Sequence, residues 1–456
     1  MKDFSRKIHL VGIGGAGMCP LAEVLLSRGH QLTGSDRQKS SATERLQSLG
    51  IAVQYDHSPK YLKEAELLVY SSAIREDNPE RVYAAEHGIP SMRRAEVLGQ
   101  LMRAHYTICI AGTHGKTTTT SLTGAVFQDA GIDPVVLVGG VIRGAESHAV
   151  TGTGNIMVAE ADEYDRSFLA MYPSVAVITN IDADHLDCYG SLENIKDAFV
   201  SFAARVPFFG AVVACKDDPG VRDILPRISG NVITYGIESE SDYTAENITF
   251  TSGKPSFTVY KRGTELGEIK LNIPGMHNVL NSLAVIAVAD RTGISFEVIQ
   301  KSLAKCQGAR RRFEIAGEVN GITVIDDYAH HPGEIRATID AARRCGYKRI
   351  VAVFQPHLYS RTRELMDGFV ESLSEADSVY VTGIYKAREE AVPGVSSGLI
   401  VEKLKSGNHR SAVYVQESGD LVGILQKDLR AGDAVILMGA GDIWQSAVKL
   451  VEALNG

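Results

Sequence analysis

Twice in its 456 residues the chain passes from an apolar run through a glycine-rich turn into a helical pattern, and few folds accommodate that arrangement. The first turn, Gly12-Ile13-Gly14-Gly15-Ala16-Gly17, follows Ile8 to Val11. The second, Gly112-Thr113-His114-Gly115-Lys116-Thr117-Thr118, follows Tyr106 to Ala111. Such a turn aims backbone N–H groups at an oxyanion, and the start of the helix adds a partial positive charge. A strand, a tight turn and a helix in that order form half of a parallel crossover unit, so the expected class is α/β with parallel sheets.

The rest of the chain keeps this rhythm and restarts it. Apolar runs at Gln31 to Thr33 and Leu67 to Tyr70 continue the first section, with a helix around Leu21 to Leu26. A second section begins at Tyr106, with a helix from Thr117 through Ala130. Strands follow at Ile156 to Ala159, Val175 to Thr179, Ala211 to Ala214 and Val232 to Tyr235, and the alternation of Phe257 to Tyr260 suggests an antiparallel addition. After a helical run from Asn278 to Arg291 and the basic segment Arg310 to Arg312, strands at Thr323 to Ile325, Ile350 to Phe354, Ser378 to Val381 and Ala434 to Met438 make a third section. The expected domains are 1–105, 106–309 and 310–456.

The second turn is a shortened Walker A loop, with Ile110 where the usual spacing has its first glycine. Lys116 can reach the outer phosphates of a nucleotide and Thr117 can join Mg²⁺; the bland alternative is a glycine turn with an incidental lysine. Ligands of parallel sheets sit beyond the carboxyl ends of strands, which singles out Glu160, Asp162 and Glu163 after one strand. Asn180, Asp182, Asp184, His185 and Asp187 follow the next. Glu160 directly ends its strand and is best placed for a metal, His185 being a softer ligand than Mg²⁺ prefers. Asp184 and Asp187 also suit helix caps.

The first turn, with Asp36 about twenty residues beyond it, matches a dinucleotide fingerprint. NAD and a nucleotide-sugar diphosphate are equally good occupants of such a helix start. A net charge of −8 argues against a nucleic-acid partner. Six scattered cysteines without a Cys-x-x-Cys pair fit a reducing compartment and offer no zinc framework. Met1-Lys2-Asp3 leads almost directly into the first strand without a signal-peptide pattern, and no apolar run suits a membrane span. A cytoplasmic enzyme is expected.

With these residues in view, the chain resembles the Mur ligases along essentially its whole length. The carriers are Gly12 to Met18, Gly34-Ser35-Asp36, Ser71-Ser72-Ala73-Ile74, the loop Gly112 to Thr118, Glu160-Ala161-Asp162-Glu163 and Asp184-His185-Leu186-Asp187. They continue with Gly275-Met276-His277-Asn278-Val279-Leu280-Asn281, Gly308 to Phe313, Asp326-Asp327-Tyr328-Ala329-His330-His331-Pro332 and Phe354-Gln355-Pro356-His357.

The resemblance implies three parts: an N-terminal Rossmann-like domain, a central P-loop ATPase-like domain and a C-terminal Rossmann-like domain. It implies an ATP-dependent ligase that joins L-alanine to the carboxylate of UDP-N-acetylmuramate through an acyl phosphate, with Mg²⁺ or Mn²⁺, as a monomer or homodimer. By the same analogy Gly14, Gly15, Ala16, Gly17, Met18, Ser35, Asp36, Ser71 and Ser72 take the sugar nucleotide. Gly112, Thr113, His114, Gly115, Lys116, Thr117, Thr118, Asn278, Asn281, Arg312 and Asp327 take ATP. Thr117, Glu160 and His185 hold the metal, and Tyr328, His330, His357 and Arg361 line the amino-acid pocket. Lys116, Glu160, His185 and His330 are the expected catalytic groups.

On the residues alone, Asn278 and Asn281 also read as helix caps, His331-Pro332 as a helix start, and Arg310 to Arg312 as a solvated basic segment. Two departures from the family pattern stand out. Ala198-Phe199-Val200 is apolar where several members carry a carbamylated lysine, and Leu358 replaces an arginine, which shifts carboxylate binding towards Arg361. Another Mur-type ligase, returning a tripeptide to the same sugar nucleotide, is the nearest rival. An NAD-dependent oxidoreductase would leave the second loop, Glu160 and His185 without a purpose.

Overall fold

The computed structural model describes residues 5–143, 147–387, 389–407, 409 and 411–456, so Met1-Lys2-Asp3 and the side chain of Asp187 lie outside what is described. Three sheets organise the chain. The first contains β1 (Lys7–Val11), β2 (Gln31–Ser35), β3 (Ala52–Gln54), β4 (Leu67–Tyr70) and β5 (Ser91–Arg93) in the order β3-β2-β1-β4-β5. Every pairing in it is parallel. All five strands therefore end at one edge, with the order reversing beside β1, the position where a parallel sheet opens a crevice for a ligand.

The second sheet has ten strands: β6 (Tyr106–Ala111), β7 (Val135–Ile142), β8 (Ser147–Thr151), β9 (Ile156–Glu160), β10 (Val175–Ile178), β11 (Ala211–Cys215), β12 (Val232–Gly236), β13 (Tyr243–Thr251), β14 (Lys254–Lys261) and β15 (Thr264–Lys270). Their order is β15-β14-β13-β12-β11-β10-β6-β9-β7-β8. β6 sits between β9 and β10, parallel to both, and the helix Lys116–Asp129 leaves its carboxyl end. β6, β9, β10 and β11 read almost continuously apolar because both faces are covered, as the burial of Ile108, Val158, Val177 and Val213 shows. β8 pairs antiparallel with β7 at one margin.

The third sheet runs β16-β17-β21-β18-β19-β20. Its strands are β16 (Glu314–Val319), β17 (Ile322–Asp327), β18 (Arg349–Phe354), β19 (Ser378–Thr382), β20 (Ala412–Val415) and β21 (Asp433–Met438). β16 alone is antiparallel to its neighbour, and the last strand inserts between β17 and β18. Ile335, Ile339, Phe354, Phe369 and Met438 close one face, and Val324, Val353, Leu425 and Leu450 the other.

Residues pack into two compact units. The first combines the first sheet with most of the second; the second comprises Arg310–Gly456 together with 247–257 and 270–279. Within the first unit, Val24, Leu98 and Met102 share a core with Cys109, Met157, Phe168 and Phe202. A buried carboxylate reinforces that seam. Glu23, on the helix Met18–Ser27, accepts from Arg45 Nε at 2.7 Å and Nη2 at 3.1 Å, and from Ser147 Oγ of β8 at 2.7 Å. Among the described residues no helix is long and apolar enough to cross a membrane.

Candidate functional site

The first glycine turn is held from below by β2. The Ser35 carbonyl accepts from Gly12 N at 2.8 Å and Ile13 N at 3.0 Å, and Asp36 Oδ2 accepts from Gly14 N at 2.8 Å. Asp36 thus grips the turn itself. The Ser35 hydroxyl faces inward and donates to buried Glu80 at 2.6 Å, and Met18 is a core residue. Gly15 and Ala16 are exposed, Gly14 and Gly17 are half-buried, and Ser71 and Ser72 follow β4 at the same edge.

The second loop is clamped by the two residues after β10, Thr179 and Asn180. His114 N donates to Asn180 Oδ1 at 2.7 Å, and Asn180 Nδ2 returns a bond to the His114 carbonyl at 3.0 Å. Thr179 Oγ1 donates to that carbonyl at 2.6 Å, and Asp182 N donates to Thr113 Oγ1 at 2.9 Å. Gly112 and Gly115 have φ of +135° and +83°; a Cβ would lie 2.0 Å from Thr179 Oγ1 at the first and 2.6 Å from Asn281 Oδ1 at the second. Both positions therefore demand glycine. Asn281 lies inside the helix Met276–Arg291 rather than capping it, as does Asn278, whose Nδ2 donates to the Pro274 carbonyl at 2.7 Å.

Lys116 Nζ donates to Gly112 O at 2.6 Å, Thr113 O at 3.2 Å and Glu163 Oε2 at 2.8 Å. Burial works against this ammonium, but Glu163, Asp162 and Glu160 outweigh it and raise its pKa. Burial in turn pushes the Glu163 carboxyl up despite Lys116. Donor atoms of Asp162, Glu163 and His185 lie within 4.8 Å of one another. Glu160 and Thr117 approach the neighbouring Gly139 and Gly140 of β7, where added Cβ atoms would be 2.7 Å from Glu160 Oε2 and 3.1 Å from Thr117 Cγ2. This oxygen-rich donor set fits a hard divalent cation, with His185 a single nitrogen at its side. Thr118 is largely buried.

In the second unit the expected residues again converge. Asp327, ending β17, accepts from Phe313 N and Ala329 N, both at 2.7 Å, and burial raises its carboxyl pKa. Arg312 pairs with Glu334 at 3.2 Å, and both Arg311 and Arg312 stack over the Tyr328 ring. Arg311 also pairs with Asp326 at 3.2 Å, so this segment is a structural tie rather than a solvated run. His330 Nδ1 faces the Tyr328 carbonyl at 2.9 Å and Glu334 Oε2 at 3.2 Å. Both atoms accept, so Nδ1 carries a proton. His330 and His357 ring centroids are 6.3 Å apart, and Tyr385 stacks on His357 at 5.8 Å. Arg361 is buried on the helix Tyr359–Glu364, and Leu358 adopts φ +69° with its N–H bonded to the Tyr385 carbonyl at 3.0 Å. His331 caps the helix Pro332–Arg344, as its helix-start reading has it.

Sequence reasoning passed over Asn180 as a clamp, Glu163 as the partner of Lys116, and Tyr385 as the ring stacked on His357. Asn180 and Glu163 both had a signal, their place just beyond buried strands, but nothing in the sequence named their partners. Tyr385 lies far along the chain from His357 and meets it through an isolated bridge after β19.

Fold and loop together define an α/β protein of the nucleotide-dependent enzyme class. Three family models match in succession: the Mur ligase family catalytic domain over residues 7–106, the Mur ligase middle domain over 110–289, and the Mur ligase glutamate ligase domain over 311–441. The chain belongs to the Mur ligase family. It is 49% identical to a UDP-N-acetylmuramate–L-alanine ligase of Sorangium cellulosum, over 96% of this chain and 94% of that protein. Among solved structures it is similar to a UDP-N-acetylmuramate–alanine ligase of Thermotoga maritima, with a TM-score of 0.85, 32% identity and 99% of both chains covered. A murein peptide ligase of Psychrobacter arcticus follows, with a TM-score of 0.73, 26% identity and 99% of both chains covered.

Proposed function

We propose that the chain joins L-alanine to the carboxylate of UDP-N-acetylmuramate, with ATP converted to ADP and phosphate, in the cytoplasmic synthesis of peptidoglycan precursor. The observation that carries the reading is the phosphate loop, with Lys116 half-buried at the start of the helix Lys116–Asp129 and facing acids beyond the ends of neighbouring strands. The choice of alanine rests on the relative that is 49% identical and bears that activity in its name.

A carboxylate is a poor acyl donor, so a carboxylate oxygen first attacks the γ-phosphorus of ATP, giving an acyl phosphate and ADP. The alanine amine then attacks the acyl carbon, the C–O bond to phosphate breaks, and inorganic phosphate leaves with the electron pair. An anionic phosphate competes with Glu163 for the Lys116 ammonium, which then offsets charge on the transferred group. Thr117, Glu160 and Asp162, with His185 beside them, would hold Mg²⁺, which when bound draws negative charge from the phosphate oxygens. Arg312 and Asp327 belong to the ATP-facing set and Tyr328, His357 and Arg361 to the amino-acid pocket. His330, with Nδ1 fixed by Tyr328 and Glu334, presents Nε2 to take the proton released as the amine adds. The domain division 1–105, 106–309 and 310–456 is part of this reading.

Phosphate release, measured with UDP-N-acetylmuramate and single amino acids, tests the proposal. Release with L-alanine that requires the sugar nucleotide and falls by about a hundredfold or more in Lys116→Met is expected. Release that ignores the sugar nucleotide, or a Lys116→Met variant of near-normal turnover, overturns it.

A further inference from the structure

Three strands of the first sheet deliver groups to one spot. β1, β4 and β5 run parallel, so the glycine turn after β1, Ser71 after β4 and Arg94 after β5 all lie at the carboxyl edge. Arg94 opens the helix Arg94–Met102 and lays its guanidinium against Gly17, the residue from which the helix Met18–Ser27 starts. A Cβ at Gly17 would stand 2.9 Å from Arg94 Cζ and 3.0 Å from both Nε and Nη1. Only glycine permits so close an approach.

That guanidinium is half-buried yet makes no hydrogen bond or ion pair with any described residue, while Arg93 beside it has its N–H bonded to Glu96 at 2.7 Å. Burial disfavours its charge, and the more distant carboxylates of Asp162 and Glu160 favour it. A rigid five-donor fork placed over an anion-binding turn, with its donors uncommitted, matches a phosphate ester in shape and sign. The first turn supplies backbone N–H groups but no positive side chain of its own, so a twofold-charged diphosphate seated there needs a cation from elsewhere.

We propose that Arg94 binds the diphosphate of the sugar nucleotide, completing the first glycine turn with a side chain from the far edge of the sheet. This rests on the reading that the turn takes a uridine diphosphate compound. It adds a binding residue to that site, one whose loss weakens this substrate and leaves ATP binding as it was.

The test uses the full chain and two phosphate ligands, one for each turn. UDP and Mg²⁺-adenylyl imidodiphosphate are titrated by calorimetry into wild type, Arg94→Ala, Arg94→Lys and Gly17→Ala. Arg94→Ala is expected to weaken UDP about tenfold or more, the scale of charge-assisted hydrogen bonds to phosphate, with the ATP analogue held within about twofold. Arg94→Lys should retain part of the affinity, and Gly17→Ala, which displaces the guanidinium, should lose UDP affinity in the same direction. In turnover, KM for the sugar nucleotide should rise with kcat little changed. UDP affinity within about twofold of wild type in Arg94→Ala overturns the inference and leaves the proposed function standing. Parallel loss of both ligands also overturns it, because Arg94 would then be holding the fold. Failure of wild type to bind UDP would remove the proposed function and this inference together.

Discussion

The Asn180 clamp sets how much of the ATP loop's order exists before nucleotide arrives. In Asn180→Ala the bonds from His114 N at 2.7 Å and to His114 O at 3.0 Å both disappear, while the Thr179 hydroxyl keeps its 2.6 Å contact. At about 0.5–1.5 kcal/mol for each bond, the loop loses about 1–3 kcal/mol of ordering. If nucleotide must restore that order, the affinity for Mg²⁺-adenylyl imidodiphosphate falls by about 5- to 150-fold. Asn180→Asp sharpens the argument. It keeps an acceptor for His114 N–H, but it sets a carboxylate oxygen against the His114 carbonyl and a negative charge beside a phosphate site, so it should bind more weakly than the alanine variant. Calorimetric titration of the three proteins, with KM for ATP from phosphate release, gives the comparison. Nucleotide affinity in Asn180→Ala equal to wild type, or Asn180→Asp binding better than Asn180→Ala, would refute the reasoning.

Two further outcomes follow from the second unit. Burial, with the Arg312 charge nearby, lowers the pKa of His277 from 6.5 to about 4. The unfolded chain therefore binds the extra proton between these values, so His277 contributes its full stability above about pH 6.5 and loses it as pH falls towards 4, by up to about 3 kcal/mol. Urea unfolding at pH 7 and 4.5 should show His277→Gln with a smaller loss than wild type, and an equal or larger loss would contradict the assignment. In Gly441→Ala the new Cβ meets Gln355 Oε1 at 2.4 Å and Tyr385 Cγ at 2.6 Å. Displacing that ring from His357 should raise KM for the amino acid by about tenfold while KM for ATP moves little; an unchanged amino-acid KM would remove Tyr385 from the pocket.

Strands covered on both faces were the legible part of the chain. Leu67–Tyr70 and Tyr106–Ala111 have the observed limits, and Ile156–Glu160 and Arg349–Phe354 lie within a residue of those expected, because continuous burial leaves an uninterrupted apolar run. Short or edge strands were not. Ala52–Gln54 and Ser91–Arg93 have only three residues, and Glu314–Val319 keeps Ile315 on an exposed face. The hairpin Val135–Ile142 with Ser147–Thr151 hid behind Gly139 and Gly140, which weaken a strand pattern yet make room for Glu160 and Thr117. For the same reason the phosphate loop was readable from consecutive residues. Lys116–Glu163, His114–Asn180 and His357–Tyr385 depend instead on strands meeting across the sheet, and no local pattern encodes such pairs.

The Glu23 seam has an implication for how the chain can be divided. A scissors cut near residue 105 would strand Arg45 and a buried carboxylate beside each other without the serine hydroxyl that completes them, and would turn Val24, Leu98 and Met102 out to water. The amino-terminal piece would thus carry a sticky, half-solvated scar. The turn proposed to take the sugar nucleotide is best studied attached to the loop proposed to take ATP.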